Sequence, residues 1–139
     1  MRVFLDTNIL LDIIEGRQKF LLASSNVFDL GVKGEIQMFA TALTFANCVY
    51  TARKNIGYEQ AVAGLKCLKS YVKTAIMDDV QVFNALSSDM PDFEDMLQYE
   101  AALASKCDVI VTRDKKRHFP NNGLPVLSPE LFLNEFFGK

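Results

Sequence analysis

Met1-Arg2-Val3-Phe4-Leu5-Asp6-Thr7-Asn8 opens the chain, and the amphipathic run Ile9, Leu10, Leu11, Ile13, Ile14 follows it. Val3-Phe4-Leu5 is short, apolar and β-branched at its start, which predicts a buried strand. Asp6 ends that strand, and the spacing beyond it predicts a helix to about Glu15. Ligands of open parallel α/β sheets bind outside the carboxyl ends of the strands. Asp6 therefore has two readings. It is a helix cap, a role that Asp, Thr and Asn all fill, or it is a carboxylate placed at a binding cleft.

Outward from this start, helical and strand-like segments alternate. Phe20 to Leu30 has a helical apolar face, which Gly31 and Gly34 are expected to close. Glu35 to Ala40 reads as the second strand. Thr41 caps a helix from Ala42 to about Lys54, and Gly57 separates it from another, Tyr58 to Tyr71. Thr74-Ala75-Ile76 is a short third strand, and Asp78 or Asp79 starts a helix from Val80 to Leu86. Pro91 and Asp92 open a helix to about Ser105. Asp108 to Thr112 is the clearest strand after the first. Leu124 to Leu127 is a strand whose Pro125 argues for a sheet edge. Ser128-Pro129 begins the last helix. This alternation predicts an α/β fold: a three-layer α/β/α sandwich around a mainly parallel sheet with right-handed crossovers.

A length of 139 residues fits one domain, and a chain that is 50% hydrophobic and 23% charged can bury a core. The formal net charge is −2, so contact with a polyanion would need a local basic patch. No apolar run reaches the length of a membrane span, and the first one breaks at Asp6, unlike a signal peptide. Cys48, Cys67 and Cys107 are far apart and form no Cys-x-x-Cys pair, which speaks against structural zinc. They fit free thiols in a cytoplasmic protein.

Three further carboxylates stand out beside Asp6. Asp114 lies just past the apolar strand Val109-Ile110-Val111. Asp92 and Asp95 share a face of the helix that feeds this strand. If the two strands are neighbours, the four groups meet at one cleft. Each also has an ordinary role: Asp92 and Asp95 suit a helix N-terminus, and Asp114 a turn. Clustered carboxylates repel unless a cation lies between them. Aspartate oxygens suit a hard ion, Mg²⁺ or Mn²⁺. Arg113, Lys115, Lys116, Arg117 and His118 surround Asp114, with Arg53 and Lys54 elsewhere, and such a basic rim suits a polyanionic substrate. An ordinary solvated loop would look the same.

Four segments carry a family resemblance: V-F-L-D-T-N-I-L-L from Val3, T-A-L-T-F-A-N from Thr41, D-F-E-D-M-L-Q-Y-E-A-A-L-A from Asp92, and D-V-I-V-T-R-D-K-K-R-H-F from Asp108. In order and spacing they resemble the PIN domain, over residues 2–119. The small single-domain members most similar to this chain are the VapC-type toxins of bacterial toxin–antitoxin pairs. The resemblance implies one PIN-like domain over residues 1–139, a five-stranded parallel sheet, and one or two Mg²⁺ or Mn²⁺ ions. It implies hydrolysis of RNA phosphodiester bonds, a small antitoxin that enters the acidic cleft, and a homodimer.

Carried over by position, the resemblance makes Asp6, Asp95 and Asp114 catalytic metal ligands, with Asp92 beside them. Thr7, Asn8, Asn47 and Thr112 support the pocket, and Arg113, Lys115, Lys116 and Arg117 face the substrate. One departure is that Asn47 stands where many members carry a second acidic residue, which implies weaker metal binding. Asp92 is the nearer compensator. Glu94 is the weaker candidate for that part, since helix geometry turns it about 100° from Asp95 and about 200° from Asp92. An alternative follows from Asn47: a weakened or inactive PIN-like module that binds RNA or a protein partner. A haloacid-dehalogenase-like phosphatase would use Asp6 as nucleophile but needs Asp-x-Asp, and Asn8 stands in the second place. A phosphoacceptor receiver domain would need an aspartate after the third strand, where Met77 stands.

Overall fold

A computed structural model describes residues 1–115 and 117–138. In chain order the elements are β1 (Arg2–Leu5), α1 (Thr7–Glu15), α2 (Gln18–Val32), β2 (Gln37–Ala40), α3 (Ala42–Ile56) and α4 (Tyr58–Lys69). They continue as β3 (Val72–Thr74), α5 (Asp79–Leu86), α6 (Phe93–Ala104), β4 (Val109–Val111), β5 (Val126–Leu127) and α7 (Pro129–Phe137). The five strands form one sheet in the order β3-β2-β1-β4-β5, and every pairing is parallel. β1 is central, with Val3 opposite both Met38 and Val109.

Alternation along the strands divides the core. Val3, Leu5, Met38, Val109 and Val111 pack with Ile9, Leu10, Val27, Leu30, Leu65 and Phe132, residues of α1, α2, α4 and α7. Phe4, Phe39 and Ile110 point the other way, against Ala85, Met96, Tyr99 and Ala102 of α5 and α6. Strands buried on both faces read as continuous apolar runs, which is why Val3-Phe4-Leu5 and Val109-Ile110-Val111 stand out. The five largest strand residues among these are essentially inaccessible, so burial of apolar area dominates the stabilisation of the sheet.

Several element boundaries differ from expectation. The third strand is Val72–Thr74, not Thr74–Ile76, and α4 stops at Lys69 rather than Tyr71. Val72 fits the apolar stripe of the preceding helix, but it is buried opposite Met38 and the sheet claims it. Ile76 is half exposed. Gly31 does not close α2: it lies inside that helix, where a β-carbon would sit 2.1 Å from Met38 Cε. It allows a close approach of helix and sheet instead. Pro125 marks the edge as expected: β5 is outermost, and the Pro125 carbonyl accepts from Ile110 N at 2.9 Å.

Candidate active site

The carboxyl ends of β1 and β4 lie side by side, since Leu5 pairs with Val111. Asp6 follows the one and Thr112 the other. Asp6 caps α1, its Oδ1 accepting from Thr7 N at 2.8 Å. Its Oδ2 accepts from Thr112 Oγ1 at 2.7 Å. Asp6 thus caps α1 and at the same time bonds to the end of β4. Asn8 ties the strand ends together. Its Nδ2 donates to Thr112 Oγ1 at 3.2 Å, and its Oδ1 accepts from Arg113 N at 3.1 Å. Thr7 Oγ1 is buried without a hydrogen-bond partner among the described residues.

α6 brings the third carboxylate. Asp92 is its N-cap and accepts from Asp95 N at 2.9 Å, which holds the first turn. Asp95, 2% exposed, points to Asp6 across the cleft, and one guanidinium links the two. Arg117 Nε and Nη2 donate to the two oxygens of Asp6 at 2.8 and 2.7 Å, and its Nη1 donates to Asp95 Oδ1. Arg117 Nε also lies 3.8 Å from Asp114 Oδ2. Burial works against the charge of Arg117, but Asp6 and then Asp95 outweigh it and raise the guanidinium pKa above its usual value. His118 N donates to Asp95 Oδ2 at 2.9 Å. One ligand atom each from Asp92, Asp95 and His118 lie within 4.8 Å of one another.

The PIN-domain family model matches residues 2–116. The chain belongs to the PIN-domain family. Solved PIN-like structures support the fold of this PIN domain. The VapBC2 structure of Rickettsia felis, bound to a fragment of promoter DNA, is 20% identical, with a TM-score of 0.65 over 91% of this chain and 97% of that one. VapC20 of Mycobacterium tuberculosis, a toxin that cleaves the sarcin–ricin loop, is 12% identical, with a TM-score of 0.67 over 82% and 91%. A toxin–antitoxin complex of Klebsiella pneumoniae is 20% identical, with a TM-score of 0.62 over 91% and 97%. No curated protein sequence matches this PIN domain.

Within the PIN domain, Asp6, Asp95 and Asp114 meet through Arg117, and Thr7, Asn8, Asp92 and Thr112 lie around them. The basic residues divide. Lys115 is exposed, and Lys116 lies outside the described residues. Arg113 does not extend toward a substrate. Its Nε and Nη2 both donate at 2.7 Å to Asp12, which is fully buried, while its guanidinium stacks 3.7 Å from the Phe20 ring. Ser24 Oγ donates to the same carboxylate at 2.7 Å. Asp12 and Ser24 carry no chemical motif; the one signal is a carboxylate on the apolar face of α1. Arg117 likewise faces inward to the carboxylates and not outward. Arg53 and Lys54 lie over the Tyr50 ring.

Asn47, on α3, pairs with a residue of α6. Thr41 and Thr44, at the start of α3, hydrogen-bond to buried Gln98 of α6, at 2.7 Å from Thr41 Oγ1 to Gln98 Oε1. That docking sets Asn47 opposite Glu94, and Asn47 Nδ2 donates to Glu94 Oε1 at 2.9 Å. Glu94 itself is exposed.

Among the described residues, no helix is long and apolar enough to cross a membrane.

Proposed function

We propose that this PIN domain is a divalent-metal-dependent endoribonuclease that hydrolyses RNA phosphodiester bonds, and the toxin-like member of a toxin–antitoxin pair in the cytoplasm. The observation that carries the reading is the meeting of Asp6, Asp95 and Asp114 at the carboxyl ends of β1 and β4, with a basic loop beside them. Structural similarity to toxin–antitoxin complexes supports a small antitoxin as partner. A homodimer belongs to the same reading.

The donor set fits Mg²⁺ or Mn²⁺, one or two ions. Carboxylates predominate, and those of Asp6 and Asp95 already share one cation. Asp6, Asp95 and Asp114 would hold the ion, with Asp92 beside them. When bound, such an ion supplies activation of water and neutralisation of charge at the phosphoryl oxygens. The protein's own part is positioning. Thr112 and Thr7 N hold both oxygens of Asp6, and His118 N holds Asp95. Asn8 keeps the two strand ends in register, and Lys115 offers a charge to the RNA backbone. Asn47 brings no charge, so occupancy by a second ion is reduced.

The test is cleavage of a mixed structured-RNA pool by the purified chain and its Asp6→Asn variant, with Mn²⁺ or Mg²⁺ against EDTA. Metal-dependent cutting is expected and disappears in the variant. The neutral Asn47 amide favours a second reading, a PIN-like module that binds RNA or protein without cutting. No cutting by folded wild-type protein or by an Asn47→Glu variant, under any metal, would decide for that module.

A further inference from the structure

Asp6 is densely hydrogen-bonded in the cleft. An ionised carboxylate has about four lone-pair sites. All are engaged: Thr7 N and Arg117 Nη2 donate to Oδ1, and Thr112 Oγ1 and Arg117 Nε donate to Oδ2, each at 2.7 to 2.8 Å. Asp95 is held at both oxygens too, by Arg117 Nη1 and His118 N. A further cation reaches Asp6 only if a donor leaves. Thr7 N belongs to the α1 cap, and Thr112 directly follows the central pair of strands. Arg117 is attached to a loop by a long, rotatable side chain. Two cations sharing one pair of carboxylates would also repel each other strongly in so buried a place, where Arg117 itself is 17% exposed.

We propose that Arg117 is a built-in counter-ion that occupies the divalent-cation position and must swing out before metal binds, so the chain holds its own site closed. This rests on the metal-dependent reading above and adds its regulation. The contact is self-inhibitory because guanidinium and metal are alternative occupants of the same carboxylates. Apparent metal affinity is then lowered by the fraction of molecules in which Arg117 is out. An out-state population of about 1–10% weakens binding on the order of ten- to a hundred-fold. Release of Arg117 also frees a guanidinium at the rim of the cleft, where the exposed Lys115 stands.

The test uses the full chain and metal alone, without RNA. Mn²⁺ binding is measured by calorimetry on wild type and on Arg117→Gln, which is close in length but uncharged. Mg²⁺ is titrated separately into ¹⁵N-labelled wild type, with the Arg117 Nε–H resonance followed by NMR, so that the result does not depend on the variant folding. Expected are Mn²⁺ binding roughly ten- to a hundred-fold tighter in the variant, and an Arg117 Nε–H that moves and exchanges faster with water as Mg²⁺ saturates. Equal or weaker Mn²⁺ binding by folded Arg117→Gln, or an unmoved resonance at saturation, would overturn the proposal and leave the nuclease reading standing. Absence of Mn²⁺ binding in both proteins would overturn the two together.

Discussion

Replacing Arg113 by Ala should destabilise the fold, although the residue lies in a loop beside the cleft. Asp12 is fully buried, and its carboxylate accepts from Arg113 twice and from Ser24 once, all at 2.7 Å. Removing one partner of a buried pair costs roughly 3–5 kcal/mol, because the other charge is left uncompensated. Two features place the expected loss at the lower end. Arg17 Nη1 lies 3.8 Å from Asp12 Oδ1 and remains, and Arg113 is 18% exposed, so water already reaches part of the pair. A loss of about 3 kcal/mol follows, which in a domain of this size lowers Tm by roughly 10 °C. Part of it reflects the Phe20 stacking, worth about 0.5–2 kcal/mol. Urea denaturation of wild type, Asp12→Asn, Arg113→Ala and the double variant separates the two, since the cycle isolates the Asp12–Arg113 coupling. A coupling energy below about 1 kcal/mol, the range of exposed pairs, would refute the reasoning. Arg113 would then be free for the role its sequence neighbourhood implied.

Two further outcomes rest on local geometry. Gly123→Ala should lose about 1–3 kcal/mol, because a β-carbon there would lie 1.6 Å from the hydroxyl of buried Tyr99, which also accepts from Leu124 N at 2.9 Å. Unchanged urea stability would show that the loop gives way freely. Burial pushes the thiols of Cys48 and Cys107 up to about 12, so both stay protonated well above neutral pH, whereas Cys67 is exposed. A disulfide reagent at pH 8 should therefore label Cys67 in the native protein and the other two only after unfolding. Fast native labelling of either buried thiol would contradict this.

The sheet was legible because β1 and β4 are buried on both faces and so appear as uninterrupted apolar runs. Their carboxyl ends, and therefore Asp6 and Asp114, followed from the same signal. β3 was misplaced because Val72 satisfies a helical stripe and a strand face equally well, and pairing with β2 decided between them. Gly31 read as a helix stop because its reason for being there, Met38, lies on another element. The basic cluster after Asp114 was visible as charge but not as direction. Arg113 and Arg117 turn inward to Asp12 and to Asp6 and Asp95, partners from α1, the end of β1 and α6 that local sequence does not disclose. Glu94 pairs with Asn47 of α3, a partner that its position on α6 alone does not disclose.

The central place of β1 has a consequence for how the chain acquires its structure. Val3 pairs with Met38 on one side and Val109 on the other, so the central strand depends on a partner from far along the chain. Closing so long a loop takes entropy before any contact repays it, which favours slow folding. Until β4 arrives, Val3-Phe4-Leu5 presents one open apolar edge, a template for pairing with another chain. Asp6 gains its Thr112 and Arg117 partners only when β4 docks. Completion of the cleft is thus tied to the docking of β4 on β1, and a chain in which β4 has not docked would carry an open strand edge and no assembled site.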